Sequence, residues 1–477
     1  IIFLCCNYST RKILRIQVMK KFFIILFLTI LYIQVPAFAK TSVPQRANHI
    51  EYMNLAWWEK YNDEYLSNNL LKLYENNYDL KNAALKVKEN EQAVKMQFSN
   101  ELPQLGLSGQ LYRDLRSSMQ QFGDMQIPSF AQYNYYLPIT ASYEVDIWGT
   151  NRLRTKSMKQ QLEIVKQAER ATYIALTSDF AVDYFNLIKA DEFLKIQNEL
   201  IKNQEAIVSK IKDKYDIGLC SINELLAEQR ILTTLREERN RHIKTRDILI
   251  DTLRVYLSDS TDKVVRNNYD NITVLEDIPQ EFSTEIITNR PDFKQEEANI
   301  KRIGFDVRIA RREFLPKFTI FGQIGLNAYH LDTLFNSASQ MFSAGILPSL
   351  DLFSGGRKIA LLKLKKFEYE EALNNYQKTI LTGIKDVNSG IVEYKEALAN
   401  HKESSERLKM QNKTYCLAED KALIGSASDL DVLYAKELYL MVKKDDVSNK
   451  INSIISTIGL YKAVGGIDLY NLNHSNI

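Results

Sequence analysis

The sequence predicts a mainly α-helical chain with a transmembrane β-barrel, built from a duplicated unit of helix, hairpin, very long helix and helix. Three observations predict this fold class: glycine and proline are scarce, one pattern occurs twice, and the candidate strands alternate between apolar and polar residues. Of the 477 residues, 45% are hydrophobic and 25% are charged. Those proportions are ordinary for a globular protein and exclude a disordered chain.

The scarcity of glycine and proline predicts very long helices. The chain has 17 Gly and 9 Pro, which together are about half of the usual share. Neither residue occurs between Gly149 and Gly218, or between Gly218 and Pro279. At about 1.5 Å per residue, the first of these segments would form a helix about 100 Å long. Apolar residues recur in it every seven positions from Tyr173 to Tyr215, which predicts coiled-coil-like packing.

The candidate strands show the alternation expected of strands with one apolar face. Aromatic residues, among them Trp148 and Phe353, lie near the strand ends. Apolar-out, polar-in strands flanked by aromatic residues are typical of an outer-membrane barrel, and a half-buried soluble sheet is the alternative. The alternating apolar sets are Leu105, Leu107 and Leu111; Tyr135, Leu137, Ile139, Ala141 and Tyr143; Phe318, Ile320, Ile324 and Leu326; and Phe342, Ala344, Ile346 and Leu350.

The two copies of the pattern are offset by about 205 to 213 residues, as an internal duplication would be. Residues 102–104 match residues 315–317, and residues 146–149 match residues 351–354. The predicted organisation is a signal peptide with upstream residues over 1–39, N-terminal helices over 40–103, a first β-hairpin over 104–148, a first long helical pair over 149–278, an inter-repeat helix over 279–316, a second β-hairpin over 317–354, a second long helical pair over 355–467 and a tail over 468–477.

Four strands per chain predict an assembly of several chains. Four strands cannot close a barrel, and open sheet edges are not tolerated in lipid. Two copies would give eight strands, whose bore side chains fill, whereas three copies would give twelve strands and room for an aqueous lumen. We therefore expect a homotrimer with a twelve-stranded barrel surrounded by outer-membrane lipid.

The N-terminus has the features of a secretory signal. An apolar run over residues 22–35 follows two lysines, and Ala37 and Ala39 supply the small residues of a cleavage site. A lipid anchor would need a cysteine just after the apolar run, and Lys40 stands at that position. An uncleaved N-terminal membrane anchor is the alternative.

The composition gives little support for catalysis or for nucleic-acid binding. The formal charge of +3 is too small for a nucleic-acid footprint. The five histidines are scattered, and no histidine, cysteine or glycine-rich spacing predicts a metal site or a nucleotide site. We therefore expect no enzyme activity, cofactor, metal or nucleic-acid partner.

Three motifs resemble the TolC-like outer-membrane efflux proteins, most closely the branch that serves multidrug pumps of the resistance-nodulation-division type. They are Trp57-Trp58-Glu59-Lys60 near the start, Asn289-Arg290-Pro291-Asp292 between the repeats, and residues 460–466 at the close. The resemblance covers about residues 50–467. Many members of that branch begin at a lipidated cysteine, and this chain lacks one.

The resemblance implies a trimeric channel in the Gram-negative outer membrane that continues as an α-helical tunnel across the periplasm. Its inner end would stay closed until a periplasmic adaptor (membrane fusion) protein engages it, and an inner-membrane transporter would supply the energy for exporting small molecules. A channel for type I protein secretion is one alternative. A periplasmic coiled-coil structural protein with a soluble sheet cap is another.

Two glycines mark the candidate inner end of the tunnel. Gly218 and Gly425 occupy equivalent positions and are predicted to form left-handed turns between helices. Glu224 and Asp431 each follow six residues later and would form rings of three carboxylates in a trimer, as cation-selective constrictions do. The alternative is that each acid only stabilises the first turn of its helix.

By resemblance, Asp431 matches a position that helps to hold this end closed. The acid expected three residues later is replaced by Tyr434, so different contacts are expected there. In the inter-repeat motif, Arg290, Pro291 and Asp292 are predicted to start a helix.

Overall fold

The computed structural model describes residues 50–116, 121–122, 125–126, 130–259, 263–276, 278 and 288–470. The predicted signal segment lies outside these residues. The chain divides into two compact units, a sheet unit and a helical unit. The sheet unit includes Glu91–Lys159 and Arg302–Tyr369, and the helical unit includes Asn48–Asn90, Gln160–Lys301 and Glu370–Ile477.

The sheet unit contains one antiparallel sheet that is four strand positions wide. The strands β1 and β2 both pair with β5 and together occupy one edge position; β5 pairs with β6, and β6 pairs with β7. A separate two-stranded ribbon joins β3 and β4. The strands are β1 (Gln104–Leu107), β2 (Gln110–Arg116), β3 (Gln121–Phe122), β4 (Met125–Gln126), β5 (Phe130–Glu144), β6 (Lys317–Ala328) and β7 (Gln340–Ser349).

The register of the sheet places the alternating apolar residues of all strands on one face. Ile139 lies opposite Ile324, which lies opposite Phe342. Directly opposed residues share a face, and residues two apart along a strand return to it. Ile324 is 60% exposed and Phe342 is 76% exposed. An exposed apolar face of this extent marks a membrane or protein contact and argues against a soluble sheet cap.

The other face of the sheet is mainly polar. Its central row contains Thr140, Gln323 and Ser343, which lie directly opposite one another. Phe321 and Leu347 interrupt this polar face and are also exposed. Met341 also lies on the polar face, and Arg113 lies on the apolar face. The two faces therefore have mainly, but not throughout, the chemistry that the alternation predicts.

Eight α-helices lie in the described residues, and two of them have 67 residues each. No helix of the described segments combines the length and the apolar composition that a membrane span requires. The helices are α1 (Leu55–Trp58), α2 (Glu64–Asn76), α3 (Tyr78–Ser99), α4 (Thr150–Asp216), α5 (Ile222–Leu257), α6 (Pro291–Arg312), α7 (Arg357–Leu423) and α8 (Asp429–Ala463).

The core of the helical unit joins the opening motif to the closing segment. Trp57 stacks on Tyr461 with ring centroids 5.2 Å apart and planes at 4°. Lys60 forms an ion pair with Asp468 at 2.7 Å. Because both aromatic rings are fully buried, they contribute the large apolar area that fixes this end of the unit.

The seven-residue seam of α4 is buried over most of its length. Tyr173, Phe180 and Leu187 are fully buried, whereas Tyr215, one residue from the end of the helix, is 40% exposed. The seam therefore packs against other helices in the middle of α4 and loses that cover towards its C-terminus.

Candidate functional site

The turns at Gly218 and Gly425 have the same geometry in the two copies. Their φ angles are +76° and +75°, a region that favours glycine because it has no Cβ. The N–H of Leu219 donates to the carbonyl of Lys214 at 2.8 Å, and the equivalent bond in the second copy is also 2.8 Å long. This six-residue closure is a Schellman motif, which satisfies carbonyls at the end of a long helix.

Glu224 and Asp431 each form a capping box at the start of the helix after the turn. The N–H of Glu224 donates to Ser221 Oγ at 3.3 Å, and the N–H of Ser221 donates back to the Glu224 carboxylate. Ser428 and Asp431 repeat this exchange at 3.2 and 2.8 Å. Hydrogen bonds from the backbone and side chain of Ser428 lower the pKa of Asp431. Both acids therefore stabilise a helix start, and their role in a ring stays a prediction.

Tyr434 contacts a carboxylate that the sequence analysis did not single out. Its hydroxyl donates to Glu228 Oε1 at 3.1 Å, and Gln204 Nε2 donates to Glu228 Oε2 at 2.6 Å. Burial, followed by the hydrogen bond to Glu228, raises the pKa of Tyr434 to about 12. Glu228 thus connects α4, α5 and α8. The only feature of the sequence that points to this contact is that Tyr434 stands where an acid is expected.

Two further polar contacts join the end of α4 to the start of α8. Lys210 Nζ lies 2.6 Å from Asp429, and Asn203 Nδ2 donates to the carbonyl of Leu433 at 2.9 Å. The hydrogen bond between Lys210 and Asp429 raises the pKa of the lysine and lowers that of the acid. We call residues 203–228 and 421–434 the helical tip. Its small apolar core consists of Ile207, Ile211, Leu225 and Leu430.

The turns of the helical tip also carry exposed aliphatic side chains. Ile217 and Leu219 flank the first glycine and are 71% and 72% exposed. Leu423 and Ile424 precede the second glycine and are 85% and 79% exposed. Clustered exposed apolar residues are a mark of protein–protein contact.

The inter-repeat motif forms a structural connection in the helical unit. Helix α6 begins at Pro291. The Arg290 guanidinium donates to both oxygens of the Asp292 carboxylate, at 3.0 and 2.7 Å, and to the carbonyl of Ala463 at the end of α8. The hydrogen bond to Asp292 raises the pKa of Arg290. Gly465 has a φ of +84°, and a Cβ there would lie 3.1 Å from Arg290. The motif therefore joins a helix start to a helix end.

No group of three or more potential metal ligands occurs in the part of the chain that the structure describes. Cys220 and Cys416 are free. The contacts observed at the helical tip are hydrogen bonds, an ion pair and apolar contacts.

The duplicated hairpins, the paired 67-residue helices and the two equivalent turns define a TolC-like channel protein. The family model described as "Outer membrane efflux protein" matches residues 70–249 and 283–466, and the chain belongs to that family. The fold class and the family that the sequence predicted are confirmed, and the family is one of the outer membrane.

Individual relatives match along most of the chain. The probable outer membrane lipoprotein SilC of Salmonella typhimurium is 26% identical over 437 residues, which cover 90% of this chain and 91% of SilC. The probable efflux pump outer membrane protein TtgC of Pseudomonas putida is 22% identical, and the match covers 89% of this chain and 87% of TtgC. The crystal structure of the CmeC outer membrane channel of Campylobacter jejuni matches with a TM-score of 0.79 at 23% identity. The match covers 86% of this chain and 88% of the CmeC chain.

Proposed function

We propose that three copies of this chain form a passive duct, the outer membrane channel of a tripartite efflux pump that exports small molecules. One observation carries the proposal: the sheet is four strand positions wide, and its apolar residues share one exposed face. Three such sheets make a twelve-stranded barrel with its apolar face towards lipid and its polar face towards an aqueous lumen. Solute then moves through the lumen while an inner-membrane transporter supplies the energy.

The duct is tested by recording from the purified protein in planar bilayers. We expect discrete single-channel steps of low conductance, because the helical tip is the narrow end and is closed before an adaptor engages. The absence of discrete steps, from protein that is folded and incorporated in the bilayer, would contradict the duct.

We also propose that rings of Asp431 and Glu224 narrow the helical tip. Glu224 and Asp431 are exposed in the single chain even though their carboxylates accept hydrogen bonds in the capping boxes, which is compatible with a ring in the trimer. Asp431→Ala is expected to raise the single-channel conductance, because it removes three charges from the constriction.

Ser428→Ala is the matched control for Asp431→Ala. It breaks the same capping box, at a cost of about 1 kcal/mol to the helix start, but keeps the charge of Asp431. Equal conductance increases in the two variants would assign the effect to the lost cap and remove the ring role from Asp431.

The exposed aliphatic residues of the tip turns are proposed to receive the periplasmic adaptor protein. Four such side chains lie beside the two glycines of the helical tip. An adaptor that covers them would replace water at the turns and could separate the helices there.

A further inference from the structure

A cavity of about 400 Å³ lies in the sheet unit, where β5 passes into α4. Its wall includes Ile147 and Trp148, which follow the end of β5, and Phe98, which lies near the end of α3. Trp148 Nε1 donates to the carbonyl of Pro316 at 2.7 Å, which fixes the indole beside the cavity. No residue of the helical tip contributes to it.

The cavity has a strong excess of positive charge. Among the residues that the structure describes, four cationic side chains and one carboxylate, that of Glu101, line it. Glu101 accepts a hydrogen bond from the hydroxyl of Thr155. The cationic side chains are those of Arg152, Lys156, Lys159 and Arg312.

Two of the four cations are already engaged with the protein. Arg152 Nε lies 3.4 Å from Asp146 Oδ2, and Arg312 Nη1 donates to the carbonyl of Gly149 at 2.7 Å. Lys156 and Lys159 are exposed and have neither a hydrogen bond nor an ion pair with any residue that the structure describes. Within the described part of the chain, the cavity therefore offers an external anion two ammonium groups that no side chain or carbonyl engages.

The apolar part of the wall shows which kind of anion fits. Ile147 and Trp148 are 53% and 39% exposed, and they continue from the strand whose apolar residues face outward. A tryptophan next to lysines at the end of an apolar strand is the arrangement found where a protein meets the lipid headgroups. A ligand with both a phosphate and acyl chains satisfies both parts of the wall.

We propose that this cavity binds the phosphate of an anionic phospholipid from the periplasmic leaflet of the outer membrane. Lys156 and Lys159 hold the phosphate, and the acyl chains lie along Ile147 and the apolar face of the sheet. The inference rests on the proposed function, because it requires this end of the sheet to lie at the periplasmic surface of the membrane.

Fluorescence of Trp148 tests the proposal in the full protein reconstituted in nanodiscs. Subtracting the emission of a Trp148→Phe variant removes the contribution of Trp57 and Trp58, the two other tryptophans. One set of discs contains phosphatidylglycerol with brominated acyl chains in unlabelled phosphatidylcholine. A second set has the same lipid composition and the same mole fraction of brominated lipid, but the bromine is on phosphatidylcholine instead of phosphatidylglycerol.

A bound anionic lipid is expected to quench Trp148 about twofold more strongly than the labelled phosphatidylcholine does, because the lysines enrich the anionic lipid at the cavity. The double variant Lys156→Gln/Lys159→Gln is expected to bring the ratio of quenching by the anionic lipid to quenching by phosphatidylcholine to one. Lys363→Gln/Lys366→Gln is the matched control, with the same spacing near the start of α7 in the same unit but outside the cavity. The control is expected to keep the wild-type ratio.

Three results would overturn the proposal in distinguishable ways. Equal quenching by the two lipids in the wild-type protein would exclude a preference for the anionic headgroup. A preference abolished by inorganic phosphate at constant ionic strength would assign the cavity to a free anion. No quenching by either lipid would show that Trp148 does not lie at the membrane, and the proposed function would fail with it.

Discussion

At the residue scale, the chemistry of the helical tip depends on a contact between two helices. Tyr434 on α8 donates to Glu228 on α5, and Gln204 on α4 holds the other carboxylate oxygen. The pKa of Tyr434 is raised to about 12. The phenol therefore stays protonated at physiological pH and keeps its donor, and the contact is lost only as the pH rises through that value.

Removing this hydroxyl is expected to open the channel. Tyr434→Phe keeps the ring but removes the donor, at a cost of about 1 kcal/mol or less per protomer to the closed tip. We expect a larger open fraction in planar-bilayer recordings. Tyr439→Phe on the same helix is the control, since Tyr439 lies outside the helical tip. An unchanged open fraction in Tyr434→Phe would show that this contact does not hold the tip closed.

At this scale the sequence analysis gave first-turn stabilisation by each acid as an alternative, and it missed the capping boxes and the contacts between helices. The capping boxes had a local signal, a serine three residues before an acid, which the sequence contains at Ser221 and at Ser428. Glu228 could not be found in that way, because its partners are 24 and 206 residues distant in the chain. Only the packing of α4, α5 and α8 brings them together.

At the scale of elements, the long helices are the most predictable part of the fold. The absence of glycine and proline after Gly149 predicts a helix that ends before Gly218, and α4 spans Thr150–Asp216. The register of the sheet needed the structure, because alternation gives the face of a residue along one strand but not its partner on the next. The pairing of Ile139, Ile324 and Phe342 supplies that information.

The turn between α7 and α8 yields a prediction about partner binding. Leu423→Ser/Ile424→Ser removes two exposed aliphatic side chains but leaves Gly425 and the capping box intact. We expect efflux to fall in cells that contain the complete pump, while the single-channel conductance of the purified variant stays at the wild-type value. Full efflux would show that these side chains do not contribute to docking, and an equal loss of conductance would place their role in the channel itself.

At the scale of the whole molecule, the single chain explains why an assembly is needed. The sheet has the strand β7 at one edge and β1 with β2 at the other, and it exposes an apolar face. In lipid, each unpaired edge would leave backbone groups without hydrogen bonds, a cost that closure into a barrel removes. The duplication supplies four strand positions per chain, and in the proposed trimer three chains would supply the twelve that enclose a lumen.

The native mass of the detergent-extracted particle from the outer-membrane fraction tests whether three chains share one barrel. Light scattering or native mass spectrometry, corrected for bound detergent, would give the ratio of the particle mass to the protomer mass. We expect a ratio of three, with the particle lost to aggregation when detergent is removed. A soluble monomer in the periplasmic fraction would contradict the shared barrel and the duct that depends on it.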